Sequence, residues 1–339
     1  MAASTSLCAP HAQVTQYVEG VPESLWRGNV SGRNCELLKQ LPQAGMWQVL
    51  AYTKRARGKE AAPPTTEQRE GLSKIHSSDS CTELIEPLTG GLRHPFHDHS
   101  GCFLQKKSHI REINHYDTDY LLPVNGCGRK TDACATGAAR LNCRARARNL
   151  LFDVGCSDYT PLKLVSGKVD TWKRGGYGSS LPLFQLLYSE NCITFDHMWG
   201  WEAQPKPNWW STVPADVIPR LTFFNEPVNE TNFFEVLKAA AQPDDFVVVK
   251  IDIDSVRWKT GPRDLEDRLM HRLSHDPTLY SLIDEIYFEY DLGLAASPIH
   301  VNDDSRWLQN VTGGRGDIRA AMRLMRTLRT HGVRSHFWV

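Results

Sequence analysis

Leu150-Leu151-Phe152-Asp153-Val154-Gly155-Cys156-Ser157 is the stretch on which the reading of this chain turns. An apolar run carries one acid near its end, then stops at a glycine and two small residues. It reads as a strand whose exit delivers a carboxylate. Gly155, without a Cβ, lets the backbone turn sharply or approach a ligand closely. In an open α/β sheet the carboxyl ends of the strands are where ligands bind. Three later apolar segments also end in acid or amide groups: Met198-Trp199-Gly200-Trp201-Glu202, Leu221-Thr222-Phe223-Phe224-Asn225, and Phe246-Val247-Val248-Val249-Lys250-Ile251-Asp252-Ile253-Asp254.

Outward from that stretch, strands alternate with helices. Strands are expected at 150–154, 194–202, 220–225, 246–252, 283–289 and 333–339. The run at 246–252 is continuously apolar, as a parallel strand buried on both faces would be. Helix 180–190 opens on Ser180 as cap, with Pro182 in its first turn. Helix 231–241 carries Phe234, Leu237 and Lys238 at helical spacing, and helix 263–274 repeats Leu265, Leu269 and Leu273. Helix 317–331 gathers Ile318, Met322, Met325 and Leu328 on one face. The alternation predicts an α/β fold with a parallel, doubly wound sheet over residues 149–339. Before it, 81–148 reads as a Cys-, His- and Gly-rich accessory segment packing on the core. Residues 1–80 read as a poorly structured region ending in a flexible linker at 53–80. Short helices are expected at 37–51 and 137–148.

The ordered series resembles the FkbM-like group of class I S-adenosylmethionine-dependent methyltransferases. That group has an FDVGA strand, a second strand ending in Glu-Pro or Glu-Ala, and a later KIDIEG-like strand. Here they read Phe152–Cys156, Trp201-Glu202-Ala203 and Lys250–Asp254. The chain is more similar still to algal and plant-type FkbM-like proteins, through blocks at 234–254, 282–289 and 332–339; the resemblance spans about residues 84–339. It implies a Rossmann-like, mostly parallel methyltransferase sheet with an irregular N-terminal extension. It also implies S-adenosylmethionine as cofactor, with a methyl passed to a hydroxyl of a glycan or small metabolite. The family sheet has a seventh, antiparallel strand that is not legible here. Either the N-terminal region supplies an edge strand or the sheet is shorter.

By this resemblance, the loop holding Asp153, Gly155 and Ser157 lies beside the methionine moiety and ribose, while Tyr159 stands where many such loops have a further glycine. Glu202 is expected to accept from the ribose hydroxyls. Asn225 either meets the adenine edge or forms a turn. Asp252 and Asp254 share one side of an extended strand, and either can orient a substrate hydroxyl or take its proton. With Glu289 they could supply oxygen ligands to a divalent cation, which the family does not call for. Lys250 can neutralise the carboxylates. Asp254-Ser255 replaces the Glu-Gly pair of many relatives. Two other functions stay open: a non-catalytic binding protein on the same fold, and a nucleotide- or nucleotide-sugar-using transferase. The second lacks any GxxxxGK[ST] or GxGxxG sequence.

Charge balance, 39 basic against 39 acidic residues, provides no global field to draw the chain to nucleic acid or a membrane surface. No apolar run approaches the ~20 residues of a membrane span. Residues 1–20 hold no apolar core of a secretory leader, which favours the cytoplasm. Nine cysteines, seven of them before residue 144, and sequons at Asn29, Asn229 and Asn310, tripeptides common by chance, keep a lumenal or secreted location open. Both locations stay open. His97, His99, Cys102, Cys127, Cys134 and Cys143 match no paired metal-ligand spacing and are expected to be unconnected. Arg315, Arg319, Arg323, Arg326 and Arg329 are expected as a solvated stripe. Trp209-Trp210 reads as a stacking platform or as loop packing.

Overall fold

The computed structural model describes residues 14–21, 23–24, 66–77, 82–88, 148–160, 164–165, 168–169, 179–189, 193–253, 265–289 and 318–338. In chain order the elements begin with β1 (Val14–Val18), α1 (Thr66–Gly71), β2 (Ser73–Ser77), β3 (Thr82–Ile85) and β4 (Asn149–Val154). A short ribbon, β5 (Leu164–Val165) and β6 (Lys168–Val169), leads to α2 (Ser180–Ser189) and β7 (His197–Trp201). Then come β8 (Leu221–Phe224), α3 (Glu230–Ala240), β9 (Phe246–Ile251), α4 (Leu265–His275) and α5 (Pro277–Tyr280). Last are β10 (Glu285–Glu289), α6 (Ile318–Thr330) and β11 (Arg334–Trp338).

Six strands form one sheet in the order β8-β7-β4-β9-β10-β11, and every neighbouring pair is parallel. The chain steps outward from β4 to β8, then returns to the other side of β4 and continues through β9 to β11. The strand order therefore reverses between β4 and β9, the crevice where open α/β sheets bind ligands. Side chains alternate across the sheet. Leu150, Phe152, Val247 and Val249 pack under α3, α4 and α6 with Phe233, Leu237, Leu269 and Leu328. Leu151, Met198 and Val248 pack under α2 with Leu181 and Phe184. Helices thus cover both faces, which is why β4 and β9 are apolar on both sides.

The strand expected at 194–202 is shorter because Ile193 and Phe195 are buried ahead of the ladder rather than within it. Residues 73–77, expected as linker, form β2. The expected boundary at residue 80 falls inside an antiparallel pair, since Ser73 faces Ile85 and His76 faces Thr82. β1, β2 and β3 make a sheet of their own rather than an added edge on the large one. Among the described residues the six-stranded sheet has no antiparallel member. Arg148, the last residue of the helix expected at 137–148, is not helical. The rest of that helix, the one expected at 37–51 and the His97–Cys143 cluster lie outside the described residues. So does every cysteine but Cys156. Among the described residues no helix is long and apolar enough to cross a membrane.

Candidate functional site

The register of β4 against β9 sets Asp153 directly beside Lys250. Both are buried on the α2 face of the sheet. Lys250 Nζ lies 3.4 Å from Asp153 Oδ1 and 2.9 Å from Asp252 Oδ2, and donates to the Gly155 carbonyl at 2.8 Å. Ser180, the first residue of α2, donates its hydroxyl to Asp153 Oδ2 at 2.5 Å. Burial pushes the Asp153 carboxyl above its ordinary range, against the opposing pull of Lys250 and the Ser180 bond. Asp153 is therefore a framework carboxylate: it joins β4, β9 and α2.

Gly155 turns the chain at φ 91°, where an L side chain is strained. A Cβ there would fall 1.6 Å from the Asp252 carbonyl oxygen. The glycine thus serves close contact between the loops after β4 and β9. The amides of Gly155 and Cys156 both donate to the Trp201 carbonyl at 3.0 Å. Ser157 follows at φ 56°, a left-handed conformation uncommon outside glycine. Its carbonyl accepts from Trp209 Nε1 at 2.9 Å. The Cys156 thiol is buried and pushed well above its usual pKa by burial, so it is no nucleophile. Gly200 makes room for it, since a Cβ there would lie 2.9 Å from the Cys156 sulfur.

Glu202 follows β7, half-buried. Its Oε1 accepts from the Gln204 amide at 2.7 Å, leaving the second carboxylate oxygen for a ligand. Asn225 is the turn former: its Oδ1 accepts from Lys206 N and its Nδ2 donates to the carbonyls of Glu202 and Gln204. Those bonds use its amide to shape the Glu202 loop. Asp252 is half-buried, and the amide of Ile253 beside it donates to Glu266 Oε1 at 2.9 Å. Asp254 lies outside the described residues, and Glu289 is described only as backbone of β10. Among the described residues, no group of three metal-ligating side chains is placed to hold an ion. Tyr159 neither stacks on nor blocks the crevice. It is core, edge-on to Trp209 with its hydroxyl accepting from Gln185. Trp209 stacks flat on Phe223 at 3.8 Å between ring centroids, and Trp210 is exposed.

The structure thus brings Asp153, Gly155, Ser157, Glu202 and Asp252 to the carboxyl ends of three adjacent strands. Sequence reasoning missed Ser180 and Glu266 as partners of that crevice. Ser180 was legible only as a helix cap, and nothing in the sequence marks Glu266 as facing Ile253. Arg329, expected in a solvated stripe, is fully buried and donates to the carbonyls of Ser335 and Glu86. No family model, no curated protein and no solved structure matches the chain.

Proposed function

We propose that the chain is an S-adenosylmethionine-dependent O-methyltransferase of the FkbM-like type, on a Rossmann-like sheet. One observation carries the reading: among the described residues, the crevice at the strand reversal is acidic and its cations are engaged. Glu202, Asp252 and Asp158 gather there over the buried Asp153. Lys250 is spent on Asp153 and Asp252, and Lys206 pairs with Asp158 at 3.1 Å. Such a lining attracts a ligand carrying an ammonium and a sulfonium.

The strand order is shared with dinucleotide-binding sheets, where the first helix points its N-terminus at a pyrophosphate. Here the hydroxyl of the first residue of α2 is bonded to the Asp153 carboxylate, which sets a carboxylate beside that helix start. This disfavours NAD and nucleotide sugars against a phosphate-free cofactor. When bound, S-adenosylmethionine supplies an activated methyl group. The free oxygen of Glu202 accepts from the ribose hydroxyls, and Gly155 and Ser157 hold the loop close to the ligand. Asp252, or Asp254 after it, would orient the acceptor hydroxyl and take its proton. The acceptor is a glycan or small hydroxylated metabolite.

Calorimetric titration tests this. Micromolar binding of S-adenosylmethionine and S-adenosylhomocysteine is expected, weakened about tenfold or more in Glu202→Ala by loss of a ligand hydrogen bond to a charged group. Folded protein that binds NAD or a nucleoside diphosphate instead would overturn the reading.

A further inference from the structure

On the far side of the main sheet from β8, a chain of buried ionisable groups joins it to the N-terminal sheet. His336, on the edge strand β11, is 1% exposed and stacks on Tyr287 at 4.7 Å between ring centroids. Its Nδ1 hydrogen-bonds Glu86 Oε1, and its Nε2 hydrogen-bonds Glu285 Oε1 at 2.7 Å. Glu86 follows β3 directly, in the N-terminal unit, and Glu285 opens β10. A neutral imidazole has one donor nitrogen, whereas the imidazolium has two. Two ionised carboxylates, one on each nitrogen, therefore call for the charged ring.

We propose that His336 is a proton-operated latch: charged, it locks the N-terminal sheet onto β11 through Glu86, and neutral, it lets that sheet go.

The surroundings fit this role. From β11 itself, Arg334 Nε lies 3.5 Å from Glu285 Oε1. From α6, Arg329 Nη2 lies 3.8 Å from Glu86 Oε1. From α2, the Tyr188 hydroxyl donates to Glu285 Oε2 at 2.5 Å, and it lies 3.1 Å from the Tyr287 hydroxyl of β10. From β1, the Tyr17 hydroxyl accepts from Arg329 Nη1 at 2.9 Å and donates to Glu23 Oε2 at 2.8 Å. Arg326 pairs with Glu19 at 2.6 Å and lies 3.9 Å from Glu23. Four carboxylates, Glu19, Glu23, Glu86 and Glu285, thus face Arg326, Arg329, Arg334 and His336. Among these described residues the charges balance only while the histidine carries its proton. Losing it leaves a buried negative excess and a lone pair set against a carboxylate oxygen, an arrangement that burial makes costly.

Burial alone would lower the His336 pKa, but the Glu86 charge and the bonds from Glu285 and Glu86 hold it above the ordinary 6.5. Its contribution to stability is complete below 6.5 and is lost as pH rises through the raised value. Burial pushes Glu285 up, yet the bond and charge of His336, with Arg334 and the Tyr188 bond, keep it below 4.5. Its contribution is complete above 4.5 and is lost as pH falls through the lowered value. The latch is tightest between those two limits and opens on the alkaline side.

Amide hydrogen exchange on the full chain across pH 6 to 9.5, corrected for intrinsic rates, tests the proposal. Peptides spanning β1, β2 and β3 should lose protection by about tenfold per pH unit from 6.5 up to the raised His336 value and level off beyond it, because one proton is linked to opening only over that window. Peptides of β4 and β9 should hold theirs. Glu86→Gln keeps the fold's packing but removes one of the two charges that raise His336, so the pH-dependent loss should level off at lower pH and be smaller. His336→Gln should leave the N-terminal peptides unprotected at every pH. Should that variant fail to fold, the wild-type profile and Glu86→Gln decide alone. N-terminal protection that tracks the core across the range, or a Glu86→Gln profile identical to the wild type, would overturn the latch.

Discussion

Lys250 is a buried cation that donates to the Gly155 carbonyl and lies 2.9 Å from Asp252 Oδ2 and 3.4 Å from Asp153 Oδ1. Its two carboxylate partners are not equivalent. Asp153 has no exposure to water and a raised pKa, chiefly from burial, so its charge opposes folding at neutral pH and is relieved as pH falls through the raised value. Asp252 keeps some contact with solvent. Removing the cation leaves a fully buried carboxylate uncompensated, whereas removing the Asp153 charge leaves Lys250 with Asp252. Lys250→Met should therefore cost about 3–5 kcal/mol and Asp153→Asn clearly less, measured by urea denaturation at pH 7. Equal losses would mean that the two carboxylates share the charge evenly. From the sequence, Lys250 was legible as a charge able to neutralise the carboxylate pair that follows it or as an edge charge. Its pairing with Asp153, nearly a hundred positions earlier, comes from the β4–β9 register.

At the scale of elements, helix ends carry local chemistry that can be tested without touching the crevice. Asn229 caps α3, its side chain accepting from the Asn232 amide while Asn232 returns a bond to the Asn229 amide. At the other end of the molecule α6 closes through Gly332 at φ 90°. There Val333 N donates to Leu328 O and Gly332 N to Arg329 O, the paired bonds of a Schellman motif, with Val333 and Leu328 both in the core. Asn229→Ala and Gly332→Ala should each cost about 1 kcal/mol, read as a fall in the denaturation midpoint with the slope unchanged. A slope change would show that the helix end, beyond losing a cap, had become disordered. Elements of the large sheet were legible almost end to end because each strand or helix bears a periodic apolar pattern set by its own neighbours in sequence. The N-terminal sheet was not. β1 and β2 are five residues each and show no apolar alternation, β2 being polar everywhere but Ile75, and they become strands by pairing across a long intervening stretch.

Over the whole molecule, α2 spans two polar centres. Ser180 at its start holds Asp153 beside the crevice, and Tyr188 near its end holds Glu285 in the latch. Tyr188→Phe leaves the Glu285 Oε2 acceptor without that hydroxyl, at a cost of about 1–3 kcal/mol. Because Tyr188 and Glu86 both act on the Glu285–His336 pair, a double-mutant cycle of Tyr188→Phe with Glu86→Gln should show about 0.5–3 kcal/mol of coupling. Tyr188→Phe with Asn229→Ala, which share no partner and lie on opposite faces of the sheet, should add within about 0.5 kcal/mol. Coupling of equal size in both cycles would mean that the network is not a distinct cooperative unit. The sequence by itself determined the parallel α/β class, the order of its strands and helices along the chain, and the glycine and acids at the strand ends. Periodicity and turn chemistry are local, and they are written where they act. The tertiary structure decided the lateral order of the strands and the burial of Asp153 against Lys250. It also decided that Tyr159 and Arg329 lie inside and that Glu86, Glu285 and His336 meet. Those contacts join residues far apart in the chain, and no local pattern encodes which distant partner a polar side chain will find.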